Sequence, residues 1–294
     1  MPDRIPSSPE LTLHNGVPMP QLGLGVWQIA VEETASIVAT ALRTGYRLID
    51  TAFIYGNEEG VGEGIARSGV PRHEIFVTTK LWVTEYAYDR ALRAFDASLE
   101  RLGLEQLDLY LLHWPAPKDG DAVFEAWRAA EKLLADGRVR AIGVSNHTPE
   151  LLEKLLGRAR VVPTVNQIEL HPYFVQAEAR AANLSYGIVT QSWSPIGGSS
   201  GSGGSSGSKP ARRLLTEPIL LELGGKYDKS AAQVVLRWHV QHGLAVVPKS
   251  AHPERLAENL DVFDFELDAD DMAAIDALDT GERGGSDPAN VHAG

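Results

Sequence analysis

Four polar residues that end or follow apolar segments have side chains suited to proton transfer. Asp50 and Tyr55 lie in the stretch GYRLIDTAFIYGNE at residues 45–58, Lys80 follows IFVTT, and His113 follows LDLYLL. A phenol has a pKa of about 10 and is a poor acid at neutral pH. Because an ammonium lowers that pKa and a carboxylate keeps the ammonium charged, Asp50, Lys80 and Tyr55 together predict a proton donor. His113 can then orient the oxygen that receives the proton.

Each of these residues also has a simpler explanation when it is considered alone. A lone Asp before a helix often belongs to a turn, and a lone Lys at a strand end usually reaches into solvent. A lone His in an apolar strand is usually a hydrogen-bonded core residue. The fold decides between the two interpretations, because only convergence of all four side chains would make a catalytic site.

Eight apolar segments alternate with helical patterns and predict the fold. The segments are residues 21–27, 47–52, 75–82, 107–115, 141–146, 162–170, 187–195 and 244–250. Helical patterns occupy residues 31–44, from 57 onward, 88–102, 122–135, 148–158, 175–186, 217–223, 229–241 and 253–260. This alternation is typical of an α/β fold of the (β/α)8 TIM-barrel type with extra helices. Asn15 and Gly16, between short apolar runs, predict an N-terminal β-hairpin that caps the barrel.

A Rossmann sheet is the rival architecture for such an alternation. Its GxGxxG fingerprint is not met by Gly23 and Gly25, because Gln28 stands where the third glycine is required. A second group of glycines lies inside a helical segment, where close helix packing explains them: Gly60, Gly62 and Gly64. The barrel is therefore the preferred fold.

In a parallel barrel the carboxyl ends of all strands meet at one mouth. Asp50, Lys80 and His113 end predicted strands two, three and four. Three further polar residues lie at the ends of strands five, six and eight, namely Asn146, Gln167 and Lys249. This convergence predicts one active site at the mouth.

Several motifs in combination closely resemble the aldo-keto reductase family over nearly the entire chain. They are GYRLIDTAFIYGNE at 45–58, TTKLW at 78–82, LDLYLLHWP at 107–115, GVSN at 143–146, NQIELHPYF at 166–174 and VPKSAHPERLAENLDVFDFEL at 247–267. The resemblance implies an NADP-dependent enzyme that reduces aldehydes or ketones to alcohols without a metal. It makes Asp50, Tyr55, Lys80 and His113 the catalytic tetrad, with Tyr55 as proton donor.

The resemblance also implies where the nicotinamide binds. Ser145, Asn146 and Gln167 would hold its carboxamide, and Trp193 would stack on its ring. Many relatives carry Tyr at the position of Trp193, and this departure resembles the bacterial diketogluconate reductase branch. The indole keeps the flat aromatic face that stacking requires.

The residues after the eighth strand indicate which dinucleotide is used. Lys249, Ser250 and Arg255 place two cations and a hydroxyl close to a helix N-terminus, which suits a 2′-phosphate and favours NADPH over NADH. A solvated charged helix face is the simpler explanation for such a run in isolation. The resemblance adds Glu258 and Asn259 as contacts of the adenine.

Aromatic residues at the ends of the first four strands predict a substrate pocket. They are Trp27, Phe53, Trp82 and Trp114. An aromatic stripe more often belongs to a core, but the resemblance makes these residues the lining of an apolar pocket. The polar tail at residues 280–294 is short, so we expect an open rim around this pocket.

Composition limits the partners and the compartment. The chain of 294 residues has a formal net charge of −12 and no cysteine. Its acidity argues against nucleic acid and anionic membranes as partners, and a chain without disulfides suits the cytoplasm. We expect a single barrel domain over residues 1–294 that acts as a monomer on a small carbonyl substrate. The alternative function is a barrel that binds the cofactor as a regulatory or interaction module.

Residues 197–208 form an uninterrupted Gly/Ser run, GGSSGSGGSSGS. This composition is typical of an engineered flexible linker. The run follows the seventh predicted strand, where relatives carry the loop that folds over the cofactor. We therefore expect weaker enclosure of the cofactor pyrophosphate than in those relatives.

Overall fold

The computed structural model describes residues 8–197 and 214–292, and these contain an eight-stranded parallel sheet with its strands in chain order. The hairpin strands are β1 (Glu10–Thr12) and β2 (Pro18–Pro20). The sheet consists of β3 (Leu24–Gly25), β4 (Leu48–Asp50), β5 (Phe76–Leu81), β6 (Leu107–Leu112), β7 (Val139–Ser145), β8 (Val165–Glu169), β9 (Val189–Trp193) and β10 (Ala245–Val246). The predicted (β/α)8 fold is confirmed. Apart from Gly197, the Gly/Ser run lies outside the described residues.

Backbone hydrogen bonds close the sheet between its first and last strands. The N–H of Gly23 donates to the carbonyl of Val246 at 2.9 Å, and that of Gly25 to Pro248 at 3.0 Å. A Cβ on Gly25 would lie 2.8 Å from the carbonyl oxygen of Val247, so only glycine allows this close approach. Gly23 and Gly25 therefore allow the first and last strands to pair and the barrel to close. β10 is shorter than predicted because Pro248 has no N–H to extend the ladder.

The N-terminal hairpin covers the end of the barrel opposite the mouth, as predicted. Gly16 adopts a φ of 85°, and the N–H of Leu13 donates to Val17 at 2.9 Å across the turn. The side chains of Leu13 and Met19 are fully buried. They pack with the apolar residues of the barrel interior, which include Leu48, Phe76, Leu109, Leu111, Val165 and Ala245.

Ten α-helices surround the barrel within the part of the chain that is described. They are Val31–Thr44, Glu58–Ser68, Tyr88–Leu102, Ala122–Ala135, Pro149–Leu156, Ala177–Ser185, Pro218–Tyr227, Ala231–Gln241, Pro253–Leu260 and Ala269–Asp276. The last helix is not among the predicted ones, although Asp268 and Asp271 form a capping box at its start. It follows the eighth barrel strand and lies outside the repeating pattern. None of these helices is long and apolar enough to cross a membrane.

The glycines of Glu58–Ser68 allow this helix to pack closely on Val31–Thr44, as predicted. A Cβ on Gly60 would lie 2.9 Å from the Cβ of Thr34. A Cβ on Gly64 would lie 2.6 Å from the Cβ of Val38. This contact fixes the position of the first turns of Glu58–Ser68, the helix that directly follows the loop carrying Tyr55.

Candidate active site

The buried ammonium of Lys80 is the centre of the polar cluster at the mouth. Alternation along β5 turns Lys80 into the barrel, where its side chain is 0% exposed. Its Nζ lies 2.6 Å from Oδ2 of Asp50, 2.8 Å from the carbonyl oxygen of Thr51 and 3.2 Å from the hydroxyl of Tyr55. These three acceptors compensate for the water that the ammonium loses on burial.

The loop that carries Tyr55 is fixed by a buried asparagine at its end. The amide of Asn57 donates to the carbonyl of Val26 at 2.9 Å, and its oxygen accepts from Thr51 Oγ1 at 2.9 Å. Asn57 is buried. The loop between β4 and the following helix is therefore tied to β3, which holds the phenol of Tyr55 over Lys80.

The protonation states of Tyr55 and Lys80 follow from burial and from their mutual contacts. Burial raises the pKa of Tyr55 above its ordinary value of 10.0, while the charge and hydrogen bond of Lys80 act to lower it. Lys80 thus acts in the direction expected from the sequence, but burial outweighs it, so the net pKa of the phenol is raised and not lowered. Burial also opposes the charge of Lys80, but attraction to Asp50 raises the pKa of the ammonium overall. The structure thus contains a neutral phenol beside a charged lysine.

His113 directly follows β6 and is held neutral. Burial, and then the charge of Lys80, place the pKa of its imidazole well below the ordinary 6.5. Its ring meets Tyr55 edge-on, with centroids 5.7 Å apart. Its Nδ1 is buried and has no hydrogen-bond partner among the described residues. A neutral imidazole has one N–H to donate to an oxygen at the mouth.

Three of the four predicted pocket aromatics gather around Tyr55 and His113. The ring of Trp27 lies 4.7 Å from that of Tyr55, centroid to centroid. Trp82 and Trp114 lie 5.2 Å and 6.3 Å from the imidazole of His113. These rings form apolar walls beside the phenol and the imidazole, as expected for the pocket of an apolar ligand.

Phe53 is placed differently from the other three aromatics. Its ring lies 5.2 Å from the guanidinium carbon of Arg101, which forms an ion pair with the buried Glu58. This contact is with the helix layer and not with the rings around His113. The ring of Phe53 therefore contacts Arg101, whereas the sequence predicted a place for it beside the other three aromatic rings.

The residues predicted to hold the nicotinamide carboxamide form one hydrogen-bonded group. Asn146 adopts a φ of 61° and donates from Nδ2 to the carbonyl of His113 at 3.0 Å. Its oxygen accepts from Nε1 of Trp193 at 2.8 Å. Ser145 donates to the carbonyl of Gln167 at 2.6 Å. The group links the ends of β6 to β9, so the imidazole and the indole are positioned together.

Gln167 connects this group to the tetrad. Its Nε2 donates to Oδ1 of Asp50 and to Oε1 of Gln191, both at 2.7 Å. Gln191 was not among the predicted site residues, although it lies two positions before Trp193 on the same face of β9. Because both N–H groups of the Gln167 side chain are used, its side-chain oxygen Oε1 is the atom that remains for a ligand.

A cavity of about 580 Å³ beside the end of β10 contains all the residues predicted to hold the rest of the cofactor. They are Lys249, Ser250, Arg255, Glu258 and Asn259. Neither Lys249 nor Arg255 forms an ion pair with another described residue. The cavity also includes Ile196, three positions after Trp193, so it extends toward the end of β9. Its size and its cations fit a phosphorylated dinucleotide.

The C-terminal tail packs across the mouth, which corrects the expectation of an open rim. The N–H of Thr280 donates to the carbonyl of Tyr173, in the loop after β8, at 3.1 Å. Further along, Nζ of Lys118, in the loop after β6, lies 3.2 Å from Oδ1 of Asn290. Residues 280–292 therefore connect two loops at the carboxyl ends of the strands.

Comparison with known proteins agrees with this geometry. The model of the aldo/keto reductase family matches residues 20–280. The chain belongs to this family. Morphine 6-dehydrogenase from Pseudomonas putida is 55% identical over 284 residues, which is 97% of this chain and 96% of that protein. Glyoxal reductase from Bacillus subtilis is 47% identical over 277 residues, 94% of this chain and 95% of that protein.

A solved structure of a relative includes the cofactor. The Bombyx mori aldo-keto reductase in complex with NADP is 35% identical to this chain, with a TM-score of 0.88 and coverage of 96% of both chains. The aldo-keto reductase of the present structure is accordingly an NADP-dependent enzyme that reduces carbonyl compounds.

Proposed function

We propose that Tyr55 donates the proton in carbonyl reduction, with Lys80, Asp50 and His113 as its partners. The observation that carries this proposal is the arrangement of Lys80 Nζ, which lies within hydrogen-bonding distance of both Asp50 and Tyr55 at the barrel mouth. The neutral phenol has a proton to give, and the ammonium lies where the phenolate charge develops. Asp50 keeps the ammonium charged.

His113 and the aromatic walls orient the carbonyl group. The neutral imidazole donates its N–H to the substrate oxygen, which is also the atom that receives the proton from Tyr55. Two donors on one oxygen favour the negative charge that develops there. When bound, NADPH supplies the hydride to the carbonyl carbon. The rings of Trp27, Trp82 and Trp114 exclude water on the side of the substrate substituents.

The proposed cofactor contacts are distributed over two parts of the site. Ser145, Asn146, Gln167 and Trp193 form the hydrogen-bonded group near His113, which fits the amide and the flat ring of a nicotinamide. The large cavity fits the opposite end of the molecule, with Lys249, Ser250 and Arg255 at the 2′-phosphate and Glu258 and Asn259 at the adenine. Lys249 and Arg255, which form no ion pair with any other residue that the structure describes, favour the additional phosphate of NADPH.

The substrate class that we propose is small aldehydes, dicarbonyl compounds and cyclic ketones with an apolar body. Three aromatic walls favour apolar substituents. The names of the two relatives, a glyoxal reductase and a morphine dehydrogenase, cover a small dicarbonyl compound and a polycyclic alcohol. The assay follows consumption of NADPH with glyoxal, an aromatic aldehyde and a cyclic ketone. Quenching of tryptophan fluorescence without any turnover would instead support the cofactor-binding module.

We also propose that residues 1–294 form one domain that acts as a monomer in the cytosol. The net charge of −12 opposes association with nucleic acid. Size-exclusion chromatography coupled to light scattering measures the mass in solution, and a mass of about twice the 31.9 kDa of the chain would contradict the monomer.

Replacing Arg255 by Ala should weaken the preference for NADPH over NADH. The change removes a charge-assisted contact with the 2′-phosphate, which is worth about 1.5 to 3 kcal/mol. The ratio of the two dissociation constants should therefore fall about tenfold or more, mainly through weaker NADPH binding. Fluorescence titration with each dinucleotide provides the measurement. Arg93→Ala, which removes an exposed guanidinium from Tyr88–Leu102, is the matched control. Unchanged discrimination in the Arg255 variant would place the phosphate elsewhere.

The rate of reduction should remain constant with pH until the alkaline range. Tyr55 must be protonated to act as acid, and its pKa lies above 10.0. His113 stays neutral because its pKa lies well below 6.5. We expect kcat at saturating substrate to fall only as the pH rises through the Tyr55 pKa. An alkaline decline in kcat that is centred near neutral pH would contradict the assignment of Tyr55.

A further inference from the structure

Glu169, at the end of β8, is a buried carboxylate outside the proposed tetrad and cofactor contacts. Its side chain is 1% exposed. Its Oε1 accepts the N–H of Gly284 at 2.6 Å, and its Oε2 accepts the N–H of Gly285 at 3.0 Å. Nε2 of His171 lies 3.2 Å from Oε1, and the guanidinium of Arg283 lies 3.7 Å from Oε2. The carboxylate thus holds one short segment of the C-terminal tail by its backbone.

That segment lies against the edge of the indole of Trp193. A Cβ built on Gly285 would lie 2.4 Å from Cη2 and 3.1 Å from Cζ3 of Trp193, and 3.1 Å from Oε2 of Glu169. Any side chain at this position must displace either the indole or the tail, because real Cβ contacts are not so short. The backbone φ of Gly285 is not in the left-handed region, so other residues could adopt it. Glycine is therefore needed here because the backbone approaches the indole closely.

The indole of Trp193 is consequently held at both of its ends. Nε1, on the five-membered ring, donates to Oδ1 of Asn146 at 2.8 Å. The opposite edge of the six-membered ring meets Gly285. A hydrogen bond alone allows the ring to pivot about the Nε1–H direction, whereas a contact at the far edge limits that movement.

We propose that Glu169 and Gly285 are positioning residues that set the orientation of the Trp193 indole for nicotinamide binding. Glu169 fixes the two tail amides, and the tail backbone at Gly285 fixes the six-membered ring. The inference rests on the proposed stacking of Trp193 on the nicotinamide. It assigns a role to a buried carboxylate and a tail segment that lie outside the proton-transfer machinery.

Gly285→Ala tests the contact with the indole. The added methyl should displace the ring or the tail and raise the dissociation constant of NADPH about tenfold, which corresponds to about 1.4 kcal/mol. Fluorescence titration measures the binding. Gly157→Ala is the matched control, because this exposed glycine follows the helix Pro149–Leu156 with a φ of −61°, and its Cβ would meet backbone oxygens only at an ordinary 3.6 Å. The control should bind NADPH with an affinity within about twofold of the parent, as expected for distant, independent sites.

A Trp193→Phe background tests whether the effect acts through the indole. Phenylalanine lacks the ring edge that the methyl would meet, so Gly285→Ala should then change NADPH affinity by less than about twofold, a strong departure from additivity. A defect of equal size in both backgrounds would show that the methyl does not act through Trp193. An unchanged affinity in the single Gly285 variant would overturn the inference directly.

Glu169→Gln tests the carboxylate independently of the cofactor. Glutamine keeps the shape but replaces one acceptor oxygen by an NH₂ group, which cannot accept the tail amides. Hydrogen exchange at Gly284 and Gly285 should become about tenfold faster or more, as expected when local opening becomes easier. Unchanged exchange would overturn the role of Glu169. Exchange in the variant and NADPH binding by the parent protein are separate results. If exchange became faster but the parent did not bind NADPH, the role of Glu169 would stand and the proposed cofactor site would be contradicted.

Discussion

Replacing Tyr55 by Phe should lower kcat for carbonyl reduction by about a hundredfold to ten-thousandfold, the range of general acid catalysis. The change removes only the hydroxyl, so the ring can keep its contacts with Trp27 and His113. NADPH affinity should remain within about twofold of the parent, because the hydroxyl gives its proton to the substrate only in the chemical step. Single-turnover oxidation of bound NADPH measures the effect without a contribution from product release.

The matched control for this variant is Tyr186→Phe. Tyr186 is 42% exposed and follows the helix Ala177–Ser185, so loss of its hydroxyl should leave kcat unchanged. Near-normal turnover in Tyr55→Phe would exclude Tyr55 as the proton donor. A large fall in NADPH affinity would show that the hydroxyl contributes to cofactor binding before the reaction.

Much of the fold and the tetrad could be predicted because both depend on local sequence patterns. The helices 31–44, 88–102 and 122–135 agree with the structure at both ends, since each has a clear apolar period. Once the strands are located, barrel geometry brings their carboxyl ends together without further information. The positions of Asp50 and Lys80 at the ends of apolar segments indicate that their side chains meet. In the structure Lys80 Nζ lies 2.6 Å from Asp50 Oδ2.

The features that could not be predicted depend on contacts between distant parts of the chain. Glu169 and Gly284 are 115 positions apart. The C-terminal tail, which Glu169 holds at Gly284, has no apolar period that would predict this contact. Gln191 becomes a candidate only when β8 and β9 pair in register. The direction of the Tyr55 pKa shift depends on whether burial or the charge of Lys80 is larger. Residue types alone do not give the balance between these two effects.

Phe53 illustrates a different limit of sequence reasoning. Its position just after β4 predicts a place at the mouth, but three residues of 3₁₀ helix, Phe53–Tyr55, direct successive side chains to different sides. Tyr55 consequently lies over Lys80, while the ring of Phe53 lies beside Arg101. A residue in a short loop cannot be assigned to the pocket from its distance to the strand end alone.

Lys80→Met should remove nearly all activity and should also lower the free energy of unfolding. The phenol loses the charge that stabilises its ionised form during proton transfer, so kcat should fall by at least as much as in Tyr55→Phe. Asp50, which is 4% exposed in its side chain, would keep Gln167 as its one side-chain donor within residues 8–197 and 214–292. Removing one partner of a buried ion pair costs about 3 to 5 kcal/mol. Urea unfolding and single-turnover kinetics measure the two effects.

The double variant Asp50→Asn, Lys80→Met separates loss of chemistry from loss of stability. Removing both charges leaves no buried ion without a partner, so most of the lost free energy of unfolding should return. The side-chain oxygen of Asn can still accept from Gln167. Activity should nevertheless remain low, because Tyr55 has no ammonium beside it. If turnover returned together with stability, the function of Lys80 would be structural, and the proton would have to be activated by another group.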